Sequence, residues 1–503
     1  MVRGESRTTV PRDLKTDPLW RAEDLGRPIP DSPHATSVCL PTWDSVVGYE
    51  EKRADVISKL QAGYPRFAIH PLVLQLWAQA RERFAGEGED ALVLPSEQSA
   101  MRCAAFVQGH EFAPVRIHSA GTGTLHAVVF PEAARPTALR YWQHYGDVIS
   151  SRQAEAAVEG REPAEAPGAK ETLRVRLAGF AGEASERVWL YPSGMGALAS
   201  ALRVFQRRTP GVKTAQVGFP YVDGLKMQTA FGPGAHFYPL ADAASFEKIE
   251  ALARTGHVAG VFCEVPGNPL LQTLDLDHLS QILRANRVPL VVDDTVATFA
   301  NVDVRRYADL TASSLTKLVS GVGDVMAGSL VLSGESPLAA ELRAGIEADY
   351  EDSLWHEDAA VLELNSRGFL ERAAQVNAGA EAVAEYLLNH PAVERVWYPR
   401  YENTELYDAL RKPGGGYGGL FSVLLKNAPA VSPKFFDALR ISKGPSLGTE
   451  FSLACPYTLL AHYTELEWAE SLGISQYLIR VSIGTEDPAD LIARFGEALD
   501  AVR

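Results

Sequence analysis

The chain has little cysteine: Cys39, Cys103, Cys263 and Cys455 are the only four among 503 residues. No two form a CxxC pair, and no spacing suits a zinc site, so a disulfide framework or a zinc module is not expected. Reduced thiols in a cytoplasmic protein are the expectation. Positive charge is also short. Lys and Arg number 48 against 63 Asp and Glu, a net charge of -15. That balance argues against nucleic acid or an anionic membrane as a partner of the whole protein. No apolar run is long enough to span a bilayer. The opening stretch, MVRGESRTTVPRDLKTD, is polar and charged without an apolar centre, so no secretory signal is expected there.

What is present is an ordinary globular balance, with 46% hydrophobic and 22% charged residues. The length calls for two to four domains, and no internal repeat is visible. Residues 1–35 read as a loose tail, with Pro28, Pro30 and Pro33 among charges. HPLVLQLWAQARERF, from His70, has apolar residues at helical spacing. LVLPS, APVRIHS and LHAVVFP read as strands. Residues 1–150 are therefore expected to form an N-terminal extension or accessory segment. Residues 153–172, rich in Ala, Glu, Pro and Gly, read as a linker or a mobile surface segment.

From there short, nearly continuous apolar runs alternate with helical stretches. VWLYPS, TAQVGFP, HFYPL, GVFCEVP, VPLVVDD, LTASSLT and GSLVLSG are the strand candidates. Continuous apolar strands separated by helices predict an α/β unit with a mostly parallel sheet buried on both faces, over residues 151–350. Residues 351–503 read as a smaller α+β domain. It contains the long helix FLERAAQVNAGAEAVAEYLLNHP, strands VERVWYP, LFSVLLK and YLIRVSIG, and a final helix. The run Gly414–Gly419 precedes a strand instead of following one, so it reads as a flexible turn and not as a nucleotide loop.

In an open parallel sheet ligands bind where strands end and helices begin. Three such places carry unusual residues. Ser193-Gly194-Met195-Gly196 could cradle an anion at a helix N-terminus, or simply form a tight turn. Asp293-Asp294 ends a buried strand, where a carboxylate needs a cationic partner such as a protonated pyridine; a helix cap or a Mg²⁺ ligand would also fit. Ser314-Leu315-Thr316-Lys317 offers a lysine beside two hydroxyls, suited to a Schiff base near a phosphate; a solvated lysine is the plainer reading. Taken together, the three supply a phosphate cradle, a pyridine partner and an aldehyde-binding lysine. That is the set pyridoxal phosphate needs. No metal site is expected.

The motifs SGMGA (193–197), EVPGNPLL (264–271), VVDDT (291–295), SLTK (314–317), GDVMAGSLVLS (323–333), SLGTE (446–450) and RVSIGTEDPADLI (480–492) resemble those of the cystathionine γ-synthase-like pyridoxal-phosphate enzymes of Cys and Met metabolism. GYPRF (63–67), FPYVDGLK (219–226) and ACPYTLLAHY (454–463) resemble its longer, fungal-type branch. The resemblance implies the fold type I transferase architecture and a role for each residue. Lys317 would hold the cofactor and move protons. Asp293 would pair with the pyridine nitrogen. Gly194, Met195, Ser314 and Thr316 would bind the phosphate. Tyr221 would stack on the ring and assist catalysis, and Asn268 would face its O3′. Arg480 and Ser446 would hold the substrate carboxylate. Arg152, reaching the phosphate of a neighbouring subunit, would imply a homotetramer or catalytic dimer. Two positions depart from the family pattern: Ser150 stands for its usual tyrosine, and Asp294 for its usual asparagine.

The reaction implied is loss of a Cγ leaving group from an amino acid. Replacement would turn an O-acylhomoserine and cysteine into cystathionine. Elimination by a specialised lyase, releasing chloride from a chlorinated allylglycine-like amino acid to leave a terminal alkyne, is the alternative. A non-catalytic scaffold on the same fold is a third, opposed by the retention of Lys317, Asp293 and Arg480.

Overall fold

The computed structural model describes residues 12–64, 68–120, 124–162 and 166–502. Its strands fall into four sheets. A two-residue pair, β1 (Pro28–Ile29) and β2 (Ser37–Val38), lies near the start. An antiparallel sheet follows, from β3 (Glu89–Leu94), β4 (Arg116–Ser119) and β5 (His126–Pro131), with β5 in the middle.

The central sheet contains β6 (Val188–Tyr191), β7 (Thr214–Val217), β8 (Ala235–Tyr238), β9 (Val261–Glu264), β10 (Leu290–Asp293), β11 (Leu310–Ser314) and β12 (Gly328–Leu332). Their spatial order is β6-β12-β11-β10-β9-β7-β8. β8, β7, β9, β10 and β11 are parallel, and β12 runs antiparallel to both of its neighbours. The apolar run of β10 shows why these strands read as continuous rather than alternating. Val291 packs into the core on one face, and Leu290 and Val292 into the core on the other. The expected mostly parallel α/β sheet, with helices on both faces, is the fold.

The smaller C-terminal sheet has the order β13-β14-β17-β16-β15. It consists of β13 (Val393–Trp397), β14 (Leu420–Leu425), β15 (Ser442–Lys443), β16 (Leu453–Pro456) and β17 (Ile479–Ser482). The long helix Phe369–Leu388 and the last helix, Pro488–Asp500, pack on each other beside it.

Two expectations need correction. Residues 12–35 are not a loose tail: Leu14, Leu19 and Ile29 are buried against Phe451 and Leu453. Three isolated apolar residues among prolines and charges have no period to read, yet each fills a site on the C-terminal sheet. Nor is 153–172 a plain linker. Ser150 caps a helix over Ser151–Glu159, and another begins at Ala169. The first helix buries Arg152, Gln153, Ala154 and Ala156, so its buried face carries no large apolar side chain that could be read as a stripe. The glycine run is a turn, as expected, but a tethered one. Gly416 N–H donates to Asn301 and Gly418 N–H to Asn377.

The N-terminal sheet does not stand apart. Val93, Phe130 and Trp142 share one apolar core with Leu202, Phe205, Phe262 and Leu330. That places the loop after the Arg135–Tyr145 helix against the C-terminal ends of the central strands.

Candidate active site

One cavity of about 150 Å³ lies at those strand ends. The Gly194–Arg208 helix opens onto it, with Ser193 as its cap accepting from Gly196 N–H at 3.1 Å. Gly194 is required there: a Cβ would lie 2.9 Å from the Ser314 Cβ. Gly146 (φ +94°) is required too, since a Cβ would come within 2.3 Å of Gly196 N. The N-terminal unit thus closes on the helix start backbone to backbone, and Ser193 Oγ donates to Gly146 O at 2.9 Å. Free N–H groups at the start of a long helix, beside Ser314 and Thr316, make an anion cradle.

Strand register sets the cavity floor. Asp293 on β10 pairs directly with Glu264 on β9, so their side chains emerge together. Enclosure lifts the Asp293 carboxyl above the usual carboxylate range. It lifts Glu264 further, with the nearby charge of Asp293 adding to the effect. Two enclosed carboxyls at one place draw a cation. Glu264 also accepts from the backbone N–H groups of Tyr221 and Asn268, so it holds both loops in place.

Lys317 follows β11 and is 8% exposed. Its Nζ donates to Ser446 Oγ at 3.0 Å and Tyr64 Oη at 3.2 Å, and it sits 4.9 Å from the Tyr64 ring centre. At the far wall Arg480 on β17 donates to Pro445 O at 2.7 Å and to Asn268 Oδ1 at 3.3 Å. Cys455, paired with Arg480 across the sheet, also lines the cavity, and burial raises its thiol pKa.

The chain therefore brings Gly194, Met195, Tyr221, Asn268, Asp293, Ser314, Thr316, Lys317 and Arg480 to one cavity, with Ser446 on Lys317. It does not bring Arg152 there. That guanidinium, 8% exposed, is held by Asp324 and Asp358 of its own chain at 3.3 and 3.1 Å. Nothing in the local sequence around Arg152 discloses those two partners. Sequence reasoning assigned no role to Tyr64, Glu264 or Tyr457, although each sits in a motif already singled out. Tyr64 and Tyr457 meet Lys317 and Asn268 only across the fold, so their motifs disclose no partner for them.

A profile of the Cys/Met metabolism PLP-dependent enzymes matches residues 169–500. This chain belongs to that family. A second profile, the N-terminal domain of fungal trans-sulfuration enzymes, matches residues 72–150. Cystathionine gamma-synthase of Neurospora crassa is 33% identical over 95% of this chain and 98% of its own. The L-2-amino-4-chloropent-4-enoate dechlorinase/desaturase of Streptantibioticus cattleyicolor is 32% identical over 94% and 98%. Among solved structures, cystathionine gamma synthase of Xanthomonas oryzae matches with TM-score 0.60 at 26% identity, covering 67% of this chain and 86% of that one. The family depends on pyridoxal phosphate, and the cavity suits it. The helix start, Ser314 and Thr316 would take the phosphate, Asp293 the ring nitrogen, and Lys317 the aldehyde. No described helix is long and apolar enough to cross a membrane.

Proposed function

We propose that this cystathionine gamma-synthase-like enzyme expels a leaving group from Cγ of an amino acid, with formation of cystathionine from an O-acylhomoserine and cysteine as the parent reaction. The observation that carries the proposal is the meeting of Lys317, Asp293 and Arg480 in one cavity. Pyridoxal phosphate supplies the electron sink that makes Cα and Cβ protons removable. Asp293 would hold the ring nitrogen in its cationic form. Arg480 takes the substrate carboxylate through its planar fork. Lys317 Nζ moves the protons, and Tyr64 Oη, one hydrogen bond away, can pass them on. Met195, Leu198, Val148 and Leu460 narrow the cavity with apolar walls that exclude water.

Elimination without an incoming thiol is the second reading, and two observations favour it. Among the described residues lining the cavity, Lys317 and Arg480 are the only cations, so one carboxylate is provided for. The alignment with the Neurospora protein runs over 608 positions, more than this chain's 503 residues, whereas that with the dechlorinase runs over 497. The chain thus matches the dechlorinase's length with few gaps.

Mass spectrometry of products separates the two. The substrates are O-acetyl- and O-succinyl-homoserine with and without cysteine, and a γ-chlorinated allylglycine. Cystathionine formed from an acylhomoserine establishes replacement; chloride release alone establishes elimination. No turnover of any of them, in protein that binds pyridoxal phosphate, overturns Cγ chemistry. We propose further that the enzyme works as a homotetramer or catalytic dimer in which Arg152 serves a neighbouring site. Light scattering that finds a fully active monomer sinks this.

A further inference from the structure

Tyr457 stands where the cofactor end and the substrate end of the cavity meet. It is the first residue of the helix Tyr457–His462, directly after β16, and is 4% exposed. Its Oη accepts a hydrogen bond from Asn268 Nδ2 at 3.2 Å. Its ring lies under Arg480, with the guanidinium carbon 4.9 Å from the ring centre. Arg480 in turn donates to Asn268 Oδ1 at 3.3 Å. The three side chains close a ring of contacts, each touching the other two.

The arrangement has two physical consequences. With Arg480 on Oδ1 and the phenol on Nδ2, the Asn268 amide is fixed in one of its two orientations, because a flipped amide would turn N–H toward N–H at the arginine. The guanidinium is fixed as well: the aromatic face and the carbonyls of Pro445 and Ser446 hold its plane. A planar fork recognises a carboxylate only when its plane is set, so the face beneath it decides how well it works.

We infer that Tyr457 is a positioning residue that locks the Arg480 fork for carboxylate recognition and, through Asn268, couples that fork to the cofactor ring. This rests on the proposed roles of Arg480 and Asn268, and the experiment separates the two layers. L-norvaline, which has no Cγ leaving group, and L-norvalinamide, which lacks the carboxylate, are titrated into the holoenzyme. Binding is read from the visible absorbance of the bound cofactor.

Tyr457→Leu removes ring and hydroxyl, and the preference for norvaline over its amide should fall about tenfold, the scale of one desolvated cation–π contact. Tyr457→Phe keeps the ring, so the preference should stay within about threefold of wild type, a residual set by the lost phenol hydrogen bond. Its missing hydroxyl should instead shift the pH at which the cofactor absorbance titrates, in the direction given by Asn268→Ala. Arg480→Ala is the control for the layer beneath. If it abolishes the preference while Tyr457→Leu retains it in full, the inference about Tyr457 is overturned and the reading of Arg480 stands. If Arg480→Ala retains the preference, the carboxylate reading fails and this inference falls with it.

Discussion

At the scale of single residues, Asp294 shows how a departure from a family pattern can be resolved physically. It is 1% exposed and bonded to the Ser313 hydroxyl. Burial, reinforced by Asp293, pushes its pKa from 3.8 to about 7. A neutral carboxylic acid has nearly the shape of an amide, so below neutrality Asp294 is close to isosteric with asparagine. Because the folded-state pKa is raised, the protonated form stabilises the fold. That contribution is complete below about pH 4 and is lost as pH rises through about 7. Asp294→Asn should leave the unfolding free energy nearly unchanged at pH 4 and raise it at pH 8, by roughly 2–4 kcal/mol, read as a higher thermal midpoint. Equal midpoint shifts at both pH values would refute this. Tyr64 gives a second prediction: Tyr64→Phe keeps the ring beside Lys317 but removes the oxygen 3.2 Å away. Turnover should fall about tenfold or more with cofactor affinity intact, as for loss of one proton-transfer partner. Unchanged turnover would reduce Tyr64 to packing. The chemistry of Lys317 and Asp293 was readable because residue type and strand-end position suffice for it. Tyr64 was not, because it lies 253 residues from Lys317 in sequence and only folding brings them together.

At the scale of elements, the strands that build the site were readable because burial on both faces leaves a continuous apolar run. The short strands β15 and β16 were not: β15 has two residues, too few for any period, and both strands take their register from β17 and its neighbours. The helix starting at Gly194 has glycine at its first and third positions, so its first turn offers no apolar period to read. That first turn packs closely on the end of β11. Gly194→Ala would push a methyl group to 2.9 Å from the Ser314 Cβ and 3.0 Å from its Cα, which is backbone and cannot turn aside. Overpacking of this kind costs about 1–3 kcal/mol, here taken from phosphate binding. Equilibrium titration with pyridoxal phosphate should show weakened affinity with the far-ultraviolet circular dichroism preserved. Wild-type affinity would mean that the helix start is not the phosphate cradle. Ser193→Ala provides a graded comparison, since it removes the cap and the bond to Gly146 without adding volume, at about 1 kcal/mol.

At the scale of the whole molecule, the site is built from three places far apart in the chain. The central sheet supplies Lys317 and Asp293, the C-terminal sheet Arg480, and the N-terminal 150 residues Tyr64, Gln143, Gly146 and Val148. The N-terminal part looked like an accessory segment because its residues carry no reactive constellation of their own. Its contribution is enclosure, which leaves no signature in residue type. Residues 12–64 first cross the C-terminal sheet, where Leu40 N–H bonds to Lys443 O and Lys443 N–H to Leu19 O. The helix Trp43–Glu50 then places Val46 and Tyr49 in the same apolar core as Phe436 and Leu460, before the chain delivers Tyr64 to Lys317. Removing residues 1–64 would therefore do two separable things. It would leave Phe451, Leu453 and Leu460 on an uncovered apolar face, so the truncated protein should self-associate, as extended exposed patches do. It would also open the cavity beside Lys317, so the cofactor should be lost more readily on dialysis than from Tyr64→Phe, which keeps the cover but lacks the hydroxyl. Sedimentation velocity measures the first effect and retained cofactor absorbance the second. A truncated protein that stays at the wild-type association state and holds its cofactor as firmly as Tyr64→Phe would show that the segment neither covers the C-terminal sheet nor closes the site.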